Sequence, residues 1–143
     1  MRRFSLMWVW LLLLVFLPGI LMAQDVKTLV DRGVAAMEAG KFDQALKDFN
    51  DAVKLKPNDA KLYDYRGMVY RCKNMNTKAL EDFDKAMKLD PKFALPYRNR
   101  AMLYSDLGEY SKCLADLQKA KSLGYKVDAD FMKMVARKAE EKK

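Results

Sequence analysis

Small side chains return every 34 residues through most of this chain, and that period constrains the fold more than any other feature. Gly33, Gly67 and Ala101 form one series, Ala45, Ala79 and Cys113 a second, and Ala52, Ala86 and Ala120 a third. Small residues locked at three phases of one period mark points where helices must touch closely. The interval is that of stacked helix–turn–helix units, each of which buries its apolar face only against its neighbours.

Numbering each unit 1 to 34 from Val26, Ala60 and Ala94 aligns the remainder with no insertion. Position 4 reads Leu29, Tyr63, Tyr97 and position 11 reads Ala36, Tyr70, Tyr104. Position 24 is Phe49, Phe83, Leu117, and position 32 is Pro57, Pro91, Tyr125. This small–aromatic–small–Pro pattern resembles three tetratricopeptide repeats, at 26–59, 60–93 and 94–127. The resemblance implies an all-α, right-handed α-solenoid of three helix–turn–helix repeats that serves as a binding scaffold.

The local signals agree. Apolar residues recur at helical spacing within each half-repeat, as in Leu46–Phe49–Val53 and Leu80–Phe83–Met87. Gly40, Asn74 and Gly108 lie between the halves, and Gly and Asn accept the left-handed conformation that ends a helix. Pro57 and Pro91 bias Lys56 and Asp90 away from helix, which stops the second helix of each pair. These signals predict helices at roughly 27–39, 42–55, 60–73, 76–89, 94–107 and 110–122.

The two ends differ from the middle. Arg2 and Arg3 precede an apolar run from Leu6 to Leu17, broken by Pro18-Gly19 and followed by Leu21-Met22-Ala23. That is the layout of a signal peptide over residues 1–23, with a retained signal anchor as the alternative. Both readings place the repeats outside the cytoplasm, periplasmic or secreted, and only the anchor involves a membrane. In the third repeat Tyr125 replaces the proline, and Gly124 is expected to cap the helix. A seventh helix over about 128–141 brings Phe131, Met134 and Val135 to one face, with Lys133, Arg137 and Lys138 on the other. An open stack needs such a capping helix to cover its last apolar surface.

Composition narrows the function. The chain has 27 basic and 19 acidic residues, and removal of Arg2 and Arg3 with the leader leaves a net charge of about +6. The lysines are spread along every repeat, with no base-stacking motif or dense arginine cluster, so nucleic acid is not an expected partner. The sequence contains no His, which removes Ser–His and Cys–His nucleophiles and His metal sites. It has no Gly-rich phosphate loop or nucleophile elbow. No enzyme activity, cofactor or metal is expected. Cys72 and Cys113 fall in different repeats and on different helices, and Cys113 takes a position that is Ala elsewhere. A buried thiol is expected at Cys113, and a bridge between the two is not.

One charged pair repeats with the period. Position 7 is Arg32, Arg66, Arg100, and position 23 is Asp48, Asp82, Asp116. Antiparallel paired helices bring the two positions to similar height, so each arginine is expected against its own repeat's aspartate or a neighbour's, as a ladder along the stack.

Stacked repeats curve, and first helices line the concave side. Position 9 reads Val34, Met68, Met102, an apolar line along that side, flanked by Tyr65, Arg71, Arg98 and Asn99. An apolar centre with a polar rim has the anatomy of a binding surface. These seven residues are the candidate groove for a protein or peptide segment with apolar anchors and some acidic character. Some tetratricopeptide domains hold a chaperone's C-terminal carboxylate with Lys and Asn on first helices. The corresponding places here hold Val30, Val34, Tyr65, Leu95 and Asn99, so the resemblance does not extend to that mode of recognition.

Overall fold

The computed structural model describes residues 25–141, which form an all-α stack of seven helices. Residues 1–23, expected to be a signal peptide or anchor, lie outside the described residues. Helix α1 covers 25–38. It is followed by α2 (Phe42–Leu55), α3 (Ala60–Cys72), α4 (Asn76–Leu89), α5 (Ala94–Asp106), α6 (Tyr110–Ser122) and α7 (Ala129–Glu141). All seven expected helices are present, with ends shifted by a residue or two.

Each turn inside a repeat closes in the same way. Gly40, Asn74 and Gly108 adopt φ of 71°, 58° and 70°. One residue later, the N–H groups of Lys41, Met75 and Glu109 reach back to the carbonyls of Ala36, Tyr70 and Tyr104. This is a Schellman arrangement, which satisfies carbonyls the helix end leaves open. Gly124, with φ of 90°, repeats it after α6, where Tyr125 N–H bonds to Ala120 O at 3.0 Å.

Packing explains the periodic small residues. Ala45, Ala79, Cys113, Ala52, Ala86 and Ala120 are completely buried at helix contacts. A Cβ added at Gly33 would come within 2.9 Å of the Phe49 ring, and one at Gly67 within 2.7 Å of the Phe83 ring. Both rings are fully buried, a contribution of about 1.5–3 kcal/mol each. In the third repeat the pair becomes Ala101 and Leu117, a larger small residue against a smaller large one.

The stack curves. Helix α3 packs on α2 and α4 and also touches α5, whereas no comparable contact joins α2 to α4 or α4 to α6. Helices α3 and α5 therefore lie closer together than α2 and α4 or α4 and α6, which puts the first helices of these repeats on the inner side. In the second and third repeats, positions 3 and 10 are Leu62/Val69 and Pro96/Leu103, all buried against the preceding repeat. In α1 the same positions are Thr28 and Ala35, both exposed.

Helix α7 covers the other end with a turned face. Continuing the period by one repeat would bury Asp130 and Arg137, yet both are exposed. The buried residues are Val135 and Ala139, and Val135 joins Ala101, Cys113 and Leu117, with Phe131 and Met134 packed beside them. Lys133 and Arg137 face solvent, while Lys138 folds back to set its ammonium 4.9 Å from the Tyr110 ring centroid. Asp128 caps the helix by accepting from the Phe131 N–H at 2.7 Å. No helix among the described residues is long and apolar enough to cross a membrane.

Candidate functional site

The charged ladder is present at every rung. Arg32 chelates the Asp48 carboxylate through Nε and Nη2, with Gln44 donating a further bond to Asp48. Arg66 does the same to Asp82, with both bonds at 2.7 Å, and Arg100 to Asp116 at 2.7 and 2.8 Å. Each of the latter two also reaches the preceding repeat: Arg66 Nη1 donates to Asn50 Oδ1, and Arg100 Nη1 to Asp84. A planar guanidinium with five donors suits this double role, which a lysine does not match. Hydrogen bonding to Arg32 holds the Asp48 carboxyl below its ordinary range, against the effect of burial. Among the described residues no buried side-chain polar atom lacks a partner. The ladder's cations are thus committed within and between repeats.

Tyrosines at positions 4 and 11 complete this face. Arg66 lies over both the Tyr63 and Tyr70 rings, and Lys85 and Lys78 lie over the same two rings. Arg100 and Lys112 share Tyr104 in the same way. A cation over an aromatic face gains quadrupole attraction.

The inner face holds the seven groove candidates, and their surroundings differ. Val34, Tyr65 and Met68 are half-buried and pack against core clusters shared by inner and outer helices. Tyr65 stacks on Phe49, with centroids 5.4 Å apart and planes 8° from parallel. Arg71 on α3 donates from Nε to Asp106 on α5 at 2.7 Å. Met102 is half-buried and lines a cleft farther along.

Asn99 departs from the groove-facing position that its place in the repeat predicts. Its side chain is 4% exposed, and its Nδ2 donates to Asp64 Oδ1 at 2.9 Å. Arg98 Nη1 donates to the Asn99 Oδ1, also at 2.9 Å. The Asn99 amide is therefore a strut between α3 and α5. Burial pushes the Asp64 carboxyl up to about 6, while the Asn99 bond and the Arg98 charge pull it back. Position 5, apolar in the first repeat and basic in the third, carries no periodic signal that would mark Asp64 as the partner of Asn99.

Beyond the strut, the inner face opens into a cleft of about 270 Å³ between α5 and α7. Met102, Leu117, Tyr125, Val127 and Phe131 line it, with Arg98 at its edge. Its origin is the linker. Four residues, 56–59 and 90–93, join the earlier repeats, whereas six, 123–128, join α6 to α7. The longer linker and the turned α7 leave no contact between α5 and α7 comparable with that of α3 and α5.

Neither cysteine is bridged: Cys72 is exposed, and Cys113 is buried, which pushes its thiol up to about 11. No group of three or more His, Cys, Asp or Glu among the described residues is placed to hold a metal ion.

The repeat architecture has clear relatives. Three models described as "Tetratricopeptide repeat" match residues 26–59, 60–93 and 83–115, together more than half of the chain. No curated protein matches the chain. Among solved structures, the Arabidopsis OM64 TPR domain is 21% identical with a TM-score of 0.75, covering 85% of this chain and 99% of that one. The TPR2B domain of yeast Sti1, solved in complex with pHsp70, is 22% identical with a TM-score of 0.73 and coverages of 84% and 99%. The first TPR domain of human RPAP3 is 17% identical with a TM-score of 0.76 and coverages of 82% and 94%. At these identities the likeness establishes the fold. The period, the paired helices and the models matched to residues 26–115 agree, and the chain belongs to the tetratricopeptide repeat family.

Proposed function

We propose that this protein is a non-catalytic interaction module that binds a protein or peptide segment along the inner face of its repeat stack. The observation that carries this reading is the row Val34, Met68 and Met102, half-exposed along three successive inner helices, where solvent disfavours apolar side chains. Tyr65, Arg71 and Arg98 flank the row, while the Asn99 amide supports the face from within. Solved relatives described with bound partners, such as the Sti1 domain with pHsp70 and the first RPAP3 domain with an HSP90 peptide, support peptide binding by a stack of this kind.

The mode of recognition differs from a terminal-carboxylate clamp. Val30, Leu95 and Asn99 supply no cation, and Val34 and Tyr65 no amide, where that mode needs one. Calorimetry with a chaperone tail is expected to show no binding that depends on its free carboxylate.

A photo-reactive phenylalanine analogue at position 68 is expected to cross-link a partner, and one at Lys47 on the outer helix α2 is not. Met68→Glu with Met102→Glu should abolish capture while helical content stays near wild type. Equal capture from both positions, or capture that survives the double substitution in folded protein, refutes the inner-face assignment.

Export belongs to the same proposal, supported by Arg2, Arg3, the apolar run and Ala23. Mass measurement of the mature N-terminus is expected to show a chain beginning near Gln24. A retained leader would instead make the protein a membrane-tethered subunit of an envelope assembly.

A further inference from the structure

Among the described residues every arginine except Arg98 forms a salt bridge. Arg32, Arg66 and Arg100 hold the ladder, Arg71 pairs with Asp106, and Arg137 with Glu141. Arg98 makes one hydrogen bond, to the neutral Asn99 amide, and its guanidinium stands at the edge of the cleft between α5 and α7. Lys126 on the same edge is exposed and in no salt bridge. The edge's one acid, Asp128, accepts from the Phe131 N–H. The cleft floor is apolar: Met102, Leu117, Val127 and Phe131.

A guanidinium that feels Asp64 only across the Asn99 amide and forms no salt bridge, above an apolar recess, is complementary to one kind of partner group. The geometry points to this cleft as a subsite for a large apolar or aromatic side chain of a peptide partner, with an adjacent Asp or Glu side chain seated on Arg98. Arg98 reads the carboxylate by charge-assisted hydrogen bonds, and the recess takes the neighbouring ring or aliphatic chain out of water. The inference rests on the inner-face reading and sharpens it: the selective contact lies at the C-terminal end of the groove. The strut between α3 and α5 closes the corresponding place one repeat earlier.

The test uses the full chain, labelled with ¹⁵N, and the blocked peptide acetyl-Gly-Phe-Glu-Glu-Gly-amide. Chemical-shift changes are expected at Arg98, Met102, Val127 and Phe131. Replacing Phe by Ala, or both Glu by Lys, should weaken binding roughly tenfold or more. Arg98→Gln should weaken the Glu peptide roughly tenfold and leave a Gln-containing peptide unchanged, while Arg98→Lys keeps part of the effect. If Arg98→Gln loses helical content by circular dichroism, Met102→Glu serves instead and should weaken the Glu peptide more than the Gln peptide. Shifts along Val34 and Met68 that leave the cleft residues unmoved would overturn the subsite and leave the inner-face reading intact. Equal binding of the Glu and Lys peptides would overturn it as well. Binding seen only when the peptide ends in a free carboxylate would assign Arg98 to chain ends and overturn the side-chain reading.

Discussion

The second and third repeats share one period and meet their next neighbours in opposite ways. The second presents Asp64 to Asn99, and a buried hydrogen bond closes the gap between α3 and α5. The third presents Arg98 to a cleft, because two extra linker residues and a turned α7 hold the next helix away. Their interiors differ in parallel: Gly67 against Phe83 in one, Ala101 against Leu117 in the other. A repeat protein conserves the contacts that set its period and varies those between inner helices. Recognition is therefore free to differ from one junction to the next while the stack is preserved.

Breaking the shared ladder is expected to have the largest effect. Arg66→Ala leaves the buried Asp82 carboxylate without its chelating partner and should cost about 3 kcal/mol in chemical denaturation. Arg66→Asp with Asp82→Arg should recover part of that loss. A double-mutant cycle with zero coupling would show that the pair does not act as a unit.

The strut titrates, and the Asp48 carboxylate of the ladder does so in the opposite sense. The Asp64 carboxyl is raised to about 6 in the folded protein, against about 3.9 in the unfolded chain. The folded state then binds the proton more tightly. Its stabilising effect is full below about pH 4 and is lost as pH rises through about 6, a change of about 2–3 kcal/mol. Asp64→Asn should flatten that slope and raise stability at neutral pH, since an amide oxygen still accepts from Asn99 without the cost of burying a carboxylate charge. A slope unchanged in Asp64→Asn protein would assign it to another group. Asp48, whose carboxyl is lowered in the fold, contributes stability that is present above its unfolded value and lost towards acid.

The interior difference gives a smaller effect. Gly67→Ala places a Cβ 2.7 Å from the Phe83 ring and should cost about 1–2 kcal/mol. Adding Phe83→Leu copies the third repeat's pair and should restore part of the stability. Failure to restore any would mean that the two pairs are not interchangeable solutions. Ala101→Gly, which relieves no clash, should cost about 0.5–1 kcal/mol through helix propensity alone.

Much of this molecule was legible in one dimension. The small series, the left-handed turn residues and the two prolines mark six helices, because local backbone preferences and close helix contacts share one period. The pairing of Arg32, Arg66 and Arg100 with Asp48, Asp82 and Asp116 was also legible, because acid and base recur in step. Their additional partners, Asn50 and Asp84, were not: position 25 changes residue type between repeats, so no periodic signal marks it. Asn99 was assigned to the groove by position alone. Whether a polar side chain on an inner helix faces a partner or crosses to the next helix depends on its neighbour, here Asp64.

The sequence by itself determined the repeat, the helix ends, the rungs of the ladder and the need for a terminal cover, all consequences of contacts within about one period. Tertiary structure alone decided how α7 turns, burying Val135 and Ala139 instead of continuing the phase. It alone left the space between α5 and α7 open and Arg98 bonded to the Asn99 amide instead of directly to a carboxylate. The physical reason is that a linker two residues longer changes both the position and the rotation of the next helix. Only the packed neighbours then determine which face of that helix is buried and which side chains remain for a partner.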